Sequence, residues 1–334
     1  MARFDMAEPE LADYRPRVDA PDDFDAFWRG TLSEARGAGD RVIRTRHDGP
    51  LELVDVDDVV FPGFAGDPVR AWFVRPRGAE NLPAVVEFVG YGRGRGLALE
   101  RLHWPTAGFA QLIVDTRGQA STWGTGGSTP DPHGAGPATN GFLTRGIEDP
   151  ATYYYRRVFT DAVRAVDAIR GFDEVDPERV AVTGNSQGGA IAIAAAGLSS
   201  GLVGALPTAP ILSHLRRVVG FTDAEPHAEI TRYLAVHRDA EERVFRTLSY
   251  FDGVSFAERA EAPALIGAGL MDMIAPPSGV YAAANHWRGG AEVAAYPWNG
   301  HEGGEGIHQM RQLEWLRARV PTRSGAPRES AVTS

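Results

Sequence analysis

The sequence predicts an α/β fold: a mostly parallel central sheet flanked by helices, with a helical extension at the N-terminus and a helical insertion in the second half. Three observations carry this. Short apolar runs at 84–89, 112–115, 180–182, 264–270 and 291–297 have the length of buried strands. From about residue 84 to 319, strand-like runs, turns and helix-compatible stretches alternate, the pattern of strand–helix–strand units and so of parallel pairing. One of these turns, Gly184-Asn185-Ser186-Gln187-Gly188-Gly189, lies between Val180-Ala181-Val182 and Ala190-Ile191-Ala192-Ile193, so a buried strand passes through small residues straight into a helix.

Residues 1–40 read as a packed helical extension. Residues 42–60 and 69–75 read as early antiparallel strands ahead of the core. Residues 120–150, rich in Gly, Pro and Thr, form a long loop and a candidate pocket wall. Residues of about 205–262 interrupt the alternation with helical segments, a cap or interface insertion. Residues 1–320 are expected to form one domain. The polar, small-residue tail 321–334 is expected to be disordered. There are no internal repeats.

Composition sets outer bounds. The chain has 334 residues and a mass of 36.0 kDa, and 43% of its residues are hydrophobic, ample for a core of this size. The net charge of −10 argues against nucleic acid and anionic membranes as partners. No apolar run is long enough to span a membrane. The start Met1-Ala2-Arg3-Phe4-Asp5 has an early acid and no apolar signal core, so a cytoplasmic location is expected. The absence of Cys excludes disulfides and thiolate metal sites. All 34 basic residues are Arg, which reflects genome base composition better than function.

The turn at 184–189 carries the chemistry. G-x-S-x-G between a strand and a helix lifts a Ser Oγ above the sheet and sets helix N-terminal N–H groups beside it, suited to holding an anion. The alternative, a glycine-rich turn in which Ser186 only caps the helix, explains the residues less fully. A nucleophilic Ser needs a base, and the base needs an orienting acid. In α/β-hydrolases both follow the Ser, acid before His. His47, His103 and His133 precede Ser186; His214, His227 and His237 come before the likeliest acid position; His286 and His308 fall on helices. His301, in Gly300-His301-Glu302 after the run at 291–297, sits on a loop at a strand's carboxyl end, where open α/β sheets build their sites. Asp272 occupies the equivalent loop after 264–270, before a helix opened by Pro276-Pro277. One oxyanion donor follows from the elbow itself, the N–H of Gln187. A second should come from the loop after 84–89, in Gly90-Tyr91-Gly92. The glycines at 90–96 superficially suggest a phosphate loop, but no dinucleotide-type helix follows. Arg117-Gly118-Gln119 follows the strand at 112–115. Arg117 there either staples active-site loops, the stronger reading, or binds substrate. Glu302 reads as a supporting neighbour of His301 and a weaker rival to Asp272 as its orienting acid.

Gly184-Asn185-Ser186-Gln187-Gly188-Gly189, Asp115-Thr116-Arg117-Gly118-Gln119 and Gly300-His301-Glu302 together resemble the three signatures of carbohydrate esterase family 7, the acetyl xylan esterases and cephalosporin C deacetylases. The likeness extends from Asp23-Phe24-Asp25-Ala26-Phe27-Trp28 through Thr152-Tyr153-Tyr154-Tyr155-Arg156 to Gly269-Leu270-Met271-Asp272. It implies an α/β-hydrolase fold with Ser186, Asp272 and His301 as a catalytic triad and the Tyr91 N–H as the second oxyanion donor. It further implies small acetylated carbohydrates as substrates, no metal or cofactor, and a homohexamer whose sites face an inner chamber. Many relatives have His where this chain has Val89 and Phe where it has Ile211, and some have Cys where it has Ala275. The latter two are candidates for a roomier acyl pocket. The rivals are a serine peptidase of prolyl-oligopeptidase type, for which about 80 residues ahead of the core are too few to build a propeller, and a catalytically silent hydrolase-fold binding protein.

Overall fold

In the computed structural model, which describes residues 4–134 and 141–320, the chain opens with α1 (Glu8–Asp13) and α2 (Phe24–Gly37). Phe24, Trp28, Leu32 and Ala35 fall on one face of α2 at helical spacing, and all are buried. Trp28 donates its indole N–H to the Tyr250 carbonyl at 3.0 Å and meets Phe251 and Phe256 edge-on. The extension is thereby fastened to a distant part of the chain.

Three strands follow, β1 (Ile43–Arg46), β2 (Val54–Pro62) and β3 (Pro68–Pro76), paired antiparallel in order. The stretch expected as one strand over 42–60 is two, because Asp48-Gly49-Pro50 removes a ladder donor and turns the chain. Next come β4 (Leu82–Phe88), the single turn α3 (His103–Thr106), β5 (Ala110–Val114), α4 (Tyr154–Arg170), β6 (Val175–Asn185), α5 (Gln187–Leu198) and β7 (Gly204–Thr208). Four helices intervene: α6 (Leu215–Phe221), α7 (Ala228–Val236), α8 (Glu241–Ser249) and α9 (Gly253–Ala257). The chain then runs through β8 (Ala264–Gly269), α10 (Pro277–Asn285), β9 (Ala291–Tyr296) and α11 (Glu305–Arg319).

The nine strands form one sheet in the order β1-β2-β3-β5-β4-β6-β7-β8-β9. β3 meets β5 antiparallel, and every pairing from β5 through β4 and β6 to β9 is parallel. Both faces are covered, so β4, β5, β7 and β8 are buried at every position. Val86, Val182 and Ile266 join the large core with α4, α5 and α10, while Val85, Ala181 and Leu265 turn to the other face with Trp104 and Trp315.

The helical insertion begins later than the sequence suggests. Residues 204–208 are a central strand, and the inserted helices run from Leu215 to Ala257. Gly204-Ala205-Leu206-Pro207-Thr208 lacks the β-branched run that marks a strand and carries a Pro, which alone argues against one. Neighbouring strands on both sides override the local signal. The tail at 321–334 lies outside the described residues.

Candidate active site

β6 delivers Ser186 to the carboxyl edge of the sheet, and α5 starts at the next residue. Ser186 has φ 60° and ψ −119°, a conformation residues with a side chain rarely adopt. Two glycines make the turn feasible. A Cβ on Gly184 would overlap the Gly188 backbone, and one on Gly188 would overlap the Phe88 carbonyl. The Ser186 N–H is tied to the Thr208 carbonyl at 2.9 Å, so β7 fixes the elbow from the side.

The loops after β8 and β9 bring the other two groups to Ser186. His301 Nε2 lies 2.8 Å from Ser186 Oγ, and His301 Nδ1 lies 2.8 Å from Asp272 Oδ2. Asp272 is 1% exposed, and its Oδ1 accepts the N–H groups of Ile274 at 2.8 Å and Ala275 at 2.9 Å. One carboxylate oxygen is thus fixed by its own turn while the other faces the imidazole. The Met271 N–H donates to the Asn299 carbonyl at 3.0 Å, locking the two loops together. Glu302 does not compete for the His. It accepts from Asn299 Nδ2 at 2.8 Å and from the Gly300 N–H at 3.0 Å, and the Asn299 bond in particular holds its carboxyl below the usual range. It braces the loop that carries His301.

The two N–H groups expected to hold an oxyanion lie on the loop after β4 and at the start of α5. The Gln187 N–H belongs to the first turn of α5, where backbone donors have no acceptor within the helix. Among the described residues the Tyr91 N–H has no internal acceptor either. Gln119 joins the two loops. Its Oε1 accepts the Gly92 N–H at 2.7 Å, and its Nε2 donates to Gln187 Oε1 at 2.8 Å. Tyr155 donates its hydroxyl to the same Gln187 oxygen at 2.8 Å. The Tyr91 hydroxyl donates to Glu229 Oε1 at 2.5 Å and accepts the Phe142 N–H at 2.6 Å. Burial, then the Glu229 charge, pushes the Tyr91 phenol well above its ordinary range. The Trp123 indole N–H donates to the Tyr91 carbonyl at 2.7 Å, while its ring, 51% exposed, stands at the mouth of the site.

Arg117 is 0% exposed and does not reach the cavity. It grips Asp161 of α4 with Nε at 2.6 Å and Nη2 at 2.7 Å, and reaches Asp67 of the β2–β3 turn with Nη1 at 2.9 Å. Burial alone would lower its pKa, but these carboxylates, Asp161 first, outweigh it and raise it. Gly118 has φ +68°, and a Cβ there would press on Asp131 of the long loop. A cavity of about 540 Å³ opens over Ser186 and His301, walled in part by Tyr91, Trp104, Trp123, Pro226 and Ile274. Ile211 and Ala275, expected to shape an acyl pocket, are not on this wall. Both are buried: the Ile211 N–H bonds the Ser186 carbonyl at 3.3 Å, and the Ala275 N–H bonds Asp272 Oδ1. Ile274, next to Ala275 in the chain, is on the wall.

Sequence reasoning missed Glu229 and Trp123. Glu229 sits in an ordinary amphipathic stretch of α7, and Trp123 in a Gly- and Thr-rich loop, so neither carries a local signal.

A strand–Ser–helix elbow on a mostly parallel sheet, with acid and His on the following strand-end loops, defines an α/β-hydrolase. Residues 1–319 match the acetyl xylan esterase (AXE1) family, and the chain belongs to that family of carboxylic ester hydrolases. It is 28% identical over 320 residues to the acetyl esterase Axe7A of Xylanibacter ruminicola, covering 93% of this chain and 70% of that protein. The acetyl xylan esterase from Paenibacillus sp. R4 superposes with a TM-score of 0.89 at 38% identity, over 94% of this chain and 100% of that one. Acetyl xylan esterase 1 from Thermoanaerobacterium sp. gives a TM-score of 0.87 at 30% identity, over 94% and 99%.

Proposed function

We propose that this esterase removes acetyl groups from small acetylated carbohydrates, xylo-oligosaccharides foremost, through an acetyl-enzyme on Ser186. What carries the reading is the continuous chain Ser186 Oγ–His301 Nε2 and His301 Nδ1–Asp272 Oδ2, 2.8 Å at each link, beside the Tyr91 and Gln187 N–H groups. Ser186 Oγ attacks the acetyl carbonyl as His301 Nε2 takes its proton. Asp272 holds the imidazole in the tautomer with the proton on Nδ1 and stabilises the imidazolium. The Tyr91 and Gln187 N–H groups receive the negative charge that develops on the carbonyl oxygen. His301 returns the proton to the leaving alcohol, the C–O bond breaks, and the free sugar departs. Water, deprotonated by His301, then attacks the acetyl-enzyme, and acetate leaves with Ser186 reprotonated. Arg117, Gln119 and Glu302 act by holding the loops.

The substrate class is supported by the family and by relatives that carry acetyl ester and acetyl xylan esterase names. Deacetylation of cephalosporin C, a homohexameric assembly and a cytoplasmic site of action belong to the same proposal. They rest on the resemblance to carbohydrate esterase family 7, with the cysteine-free sequence also suiting a reducing compartment. Acetate release should be measured from acetylated xylo-oligosaccharides, with p-nitrophenyl acetate, p-nitrophenyl octanoate and a peptide p-nitroanilide alongside. The acetyl esters should dominate. Preference for octanoate would overturn the acetyl assignment, and preference for the anilide would transfer the protein to the peptidases.

A further inference from the structure

We infer that Glu229 is the positioning residue of the oxyanion hole: it holds Tyr91 by the phenol, and so aims the Tyr91 N–H, at a junction of α7, the loop after β4 and the segment 141–143. This rests on the esterase reading, in which that N–H receives the developing negative charge.

Glu229 sits in the first turn of α7, is 5% exposed and is not on the cavity wall. It has no basic partner among the described residues, and Arg232, one turn further on, pairs with Glu225 at 2.6 Å. A carboxylate buried without a cation costs stability unless hydrogen bonds replace the water it loses. Both oxygens of Glu229 have such bonds. Oε1 accepts from the Tyr91 hydroxyl at 2.5 Å, and Oε2 accepts the Leu143 N–H at 2.9 Å. Burial pushes the carboxyl up, and these two bonds draw it back. The phenol oxygen accepts the Phe142 N–H at 2.6 Å, which leaves its own proton for Glu229. The loop closes tightly round the acid, since a Cβ on Gly141 would overlap the Glu229 carboxyl. The mechanism uses no proton from Glu229, yet the chain buries this charge where its hydrogen bond leads to Tyr91.

Tyr91 is thereby anchored on three sides. Its carbonyl accepts from Trp123 at 2.7 Å, the following N–H, that of Gly92, is held by Gln119 at 2.7 Å, and the tip of its ring is held by Glu229. The ring also meets Phe142 edge-on at 5.6 Å. The Tyr91 N–H is left unbonded in a fixed direction, and an oxyanion donor is effective when it is aimed before the charge arrives. Of the three anchors only the Glu229 bond is charge-assisted, which makes it roughly twice as strong as a neutral one. Releasing the ring lets the peptide before Tyr91 swing, and a misplacement of about 1 Å can cost on the order of 10²-fold in rate.

The test compares Glu229→Gln, Tyr91→Phe and the double variant. The single amide oxygen of Gln serves Tyr91 or Leu143 but not both, and Phe keeps the backbone N–H while losing the hydroxyl. With p-nitrophenyl acetate, and with active sites counted by fluorophosphonate titration, each single variant should lose about ten-fold in kcat per site, with KM within about two-fold. The double variant should fall no more than about three-fold below either, because both changes cut the same link. Affinity for a trifluoromethyl ketone, whose adduct with Ser186 places an oxyanion in the hole, should weaken by the same factor as kcat/KM. A merely structural residue would lower the melting temperature and the fraction of titratable sites while leaving per-site kcat and ketone affinity alone, and that result overturns the inference. Single losses that multiply in the double variant overturn it as well. Should Glu229→Gln fail to fold, Tyr91→Phe decides by the same two readouts. If the wild-type protein neither hydrolyses the acetate ester nor binds the ketone, the esterase reading falls and this inference with it. Wild-type turnover matched by both single variants defeats this inference alone.

Discussion

Ser186 holds a left-handed backbone conformation for which the chain gives up about 1–3 kcal/mol of stability. Its position over the sheet edge depends on that strain. Ser186→Gly should therefore be more stable than Ser186→Ala by about 1 kcal/mol, as glycine relieves the strain and alanine does not. Urea midpoints of the two inactive variants check this, and equal midpoints would mean that the elbow is unstrained. Asp272 and Glu302 separate by geometry. In Asp272→Asn an amide N–H2 can face His301 Nδ1 and stabilise the wrong tautomer, so kcat should fall roughly 10⁴-fold. Glu302→Gln keeps an oxygen for the Gly300 N–H, so its loss should stay within about ten-fold. The reverse ranking would move the orienting role to Glu302. Trp123→Phe removes the hydrogen bond to the Tyr91 carbonyl and keeps an aromatic ring at the mouth. It should lower kcat on p-nitrophenyl acetate several-fold, the effect of loosening a donor rather than deleting one. Unchanged kcat would show that the Tyr91 loop holds itself.

The elements around the site are bound by buried polar contacts that differ in how plainly the sequence shows them. Arg117 ties α4 to the β2–β3 turn through Asp161 and Asp67, and Arg117→Ala leaves Asp161 buried without its cation. Breaking such a pair costs roughly 3–5 kcal/mol, so the melting temperature should fall together with activity. A KM defect at unchanged melting temperature would show that Arg117 binds substrate. The elbow at Ser186 and the loops of Asp272 and His301 were legible because each follows a strand-like run, and strand ends are where this fold places its chemistry. Arg117 was legible as a staple but not in its partners, since Asp67 and Asp161 are distant in sequence and carry no common mark. β7 was illegible for the opposite reason. Its Gly, Ala and Pro have no strand preference, and only β6 and β8 on either side make it a strand. The same limit applies to Ile211 and Ala275. A family comparison can point to a substituted position, but which side chains reach the wall of a cavity is set by the fold, and here Ile274 does while Ile211 and Ala275 do not.

At the scale of the molecule, one nine-stranded sheet carries every site loop, and two buried histidines bias its stability with pH. Burial holds His227 and His308 at a pKa of about 4, below the roughly 6.5 of an unfolded chain. The unfolded state therefore binds more protons as the pH falls below about 6.5, and the stability contributed by the neutral rings is lost between about 6.5 and 4. Urea midpoints followed from pH 7.5 to 4.5 should fall, and His227→Phe should flatten that acid slope whatever it does to stability at neutral pH. An unchanged slope would show that other groups govern acid unfolding. If Ser186, activated by His301, takes the acyl group, fluorophosphonate labelling with peptide mapping will show it. Loss of esterase activity should track one adduct per chain on the peptide containing Ser186, and Ser186→Ala should take up no label and keep less than about 0.1% of wild-type kcat. An adduct on another residue, or a Ser186→Ala enzyme with several per cent of wild-type turnover, would contradict it.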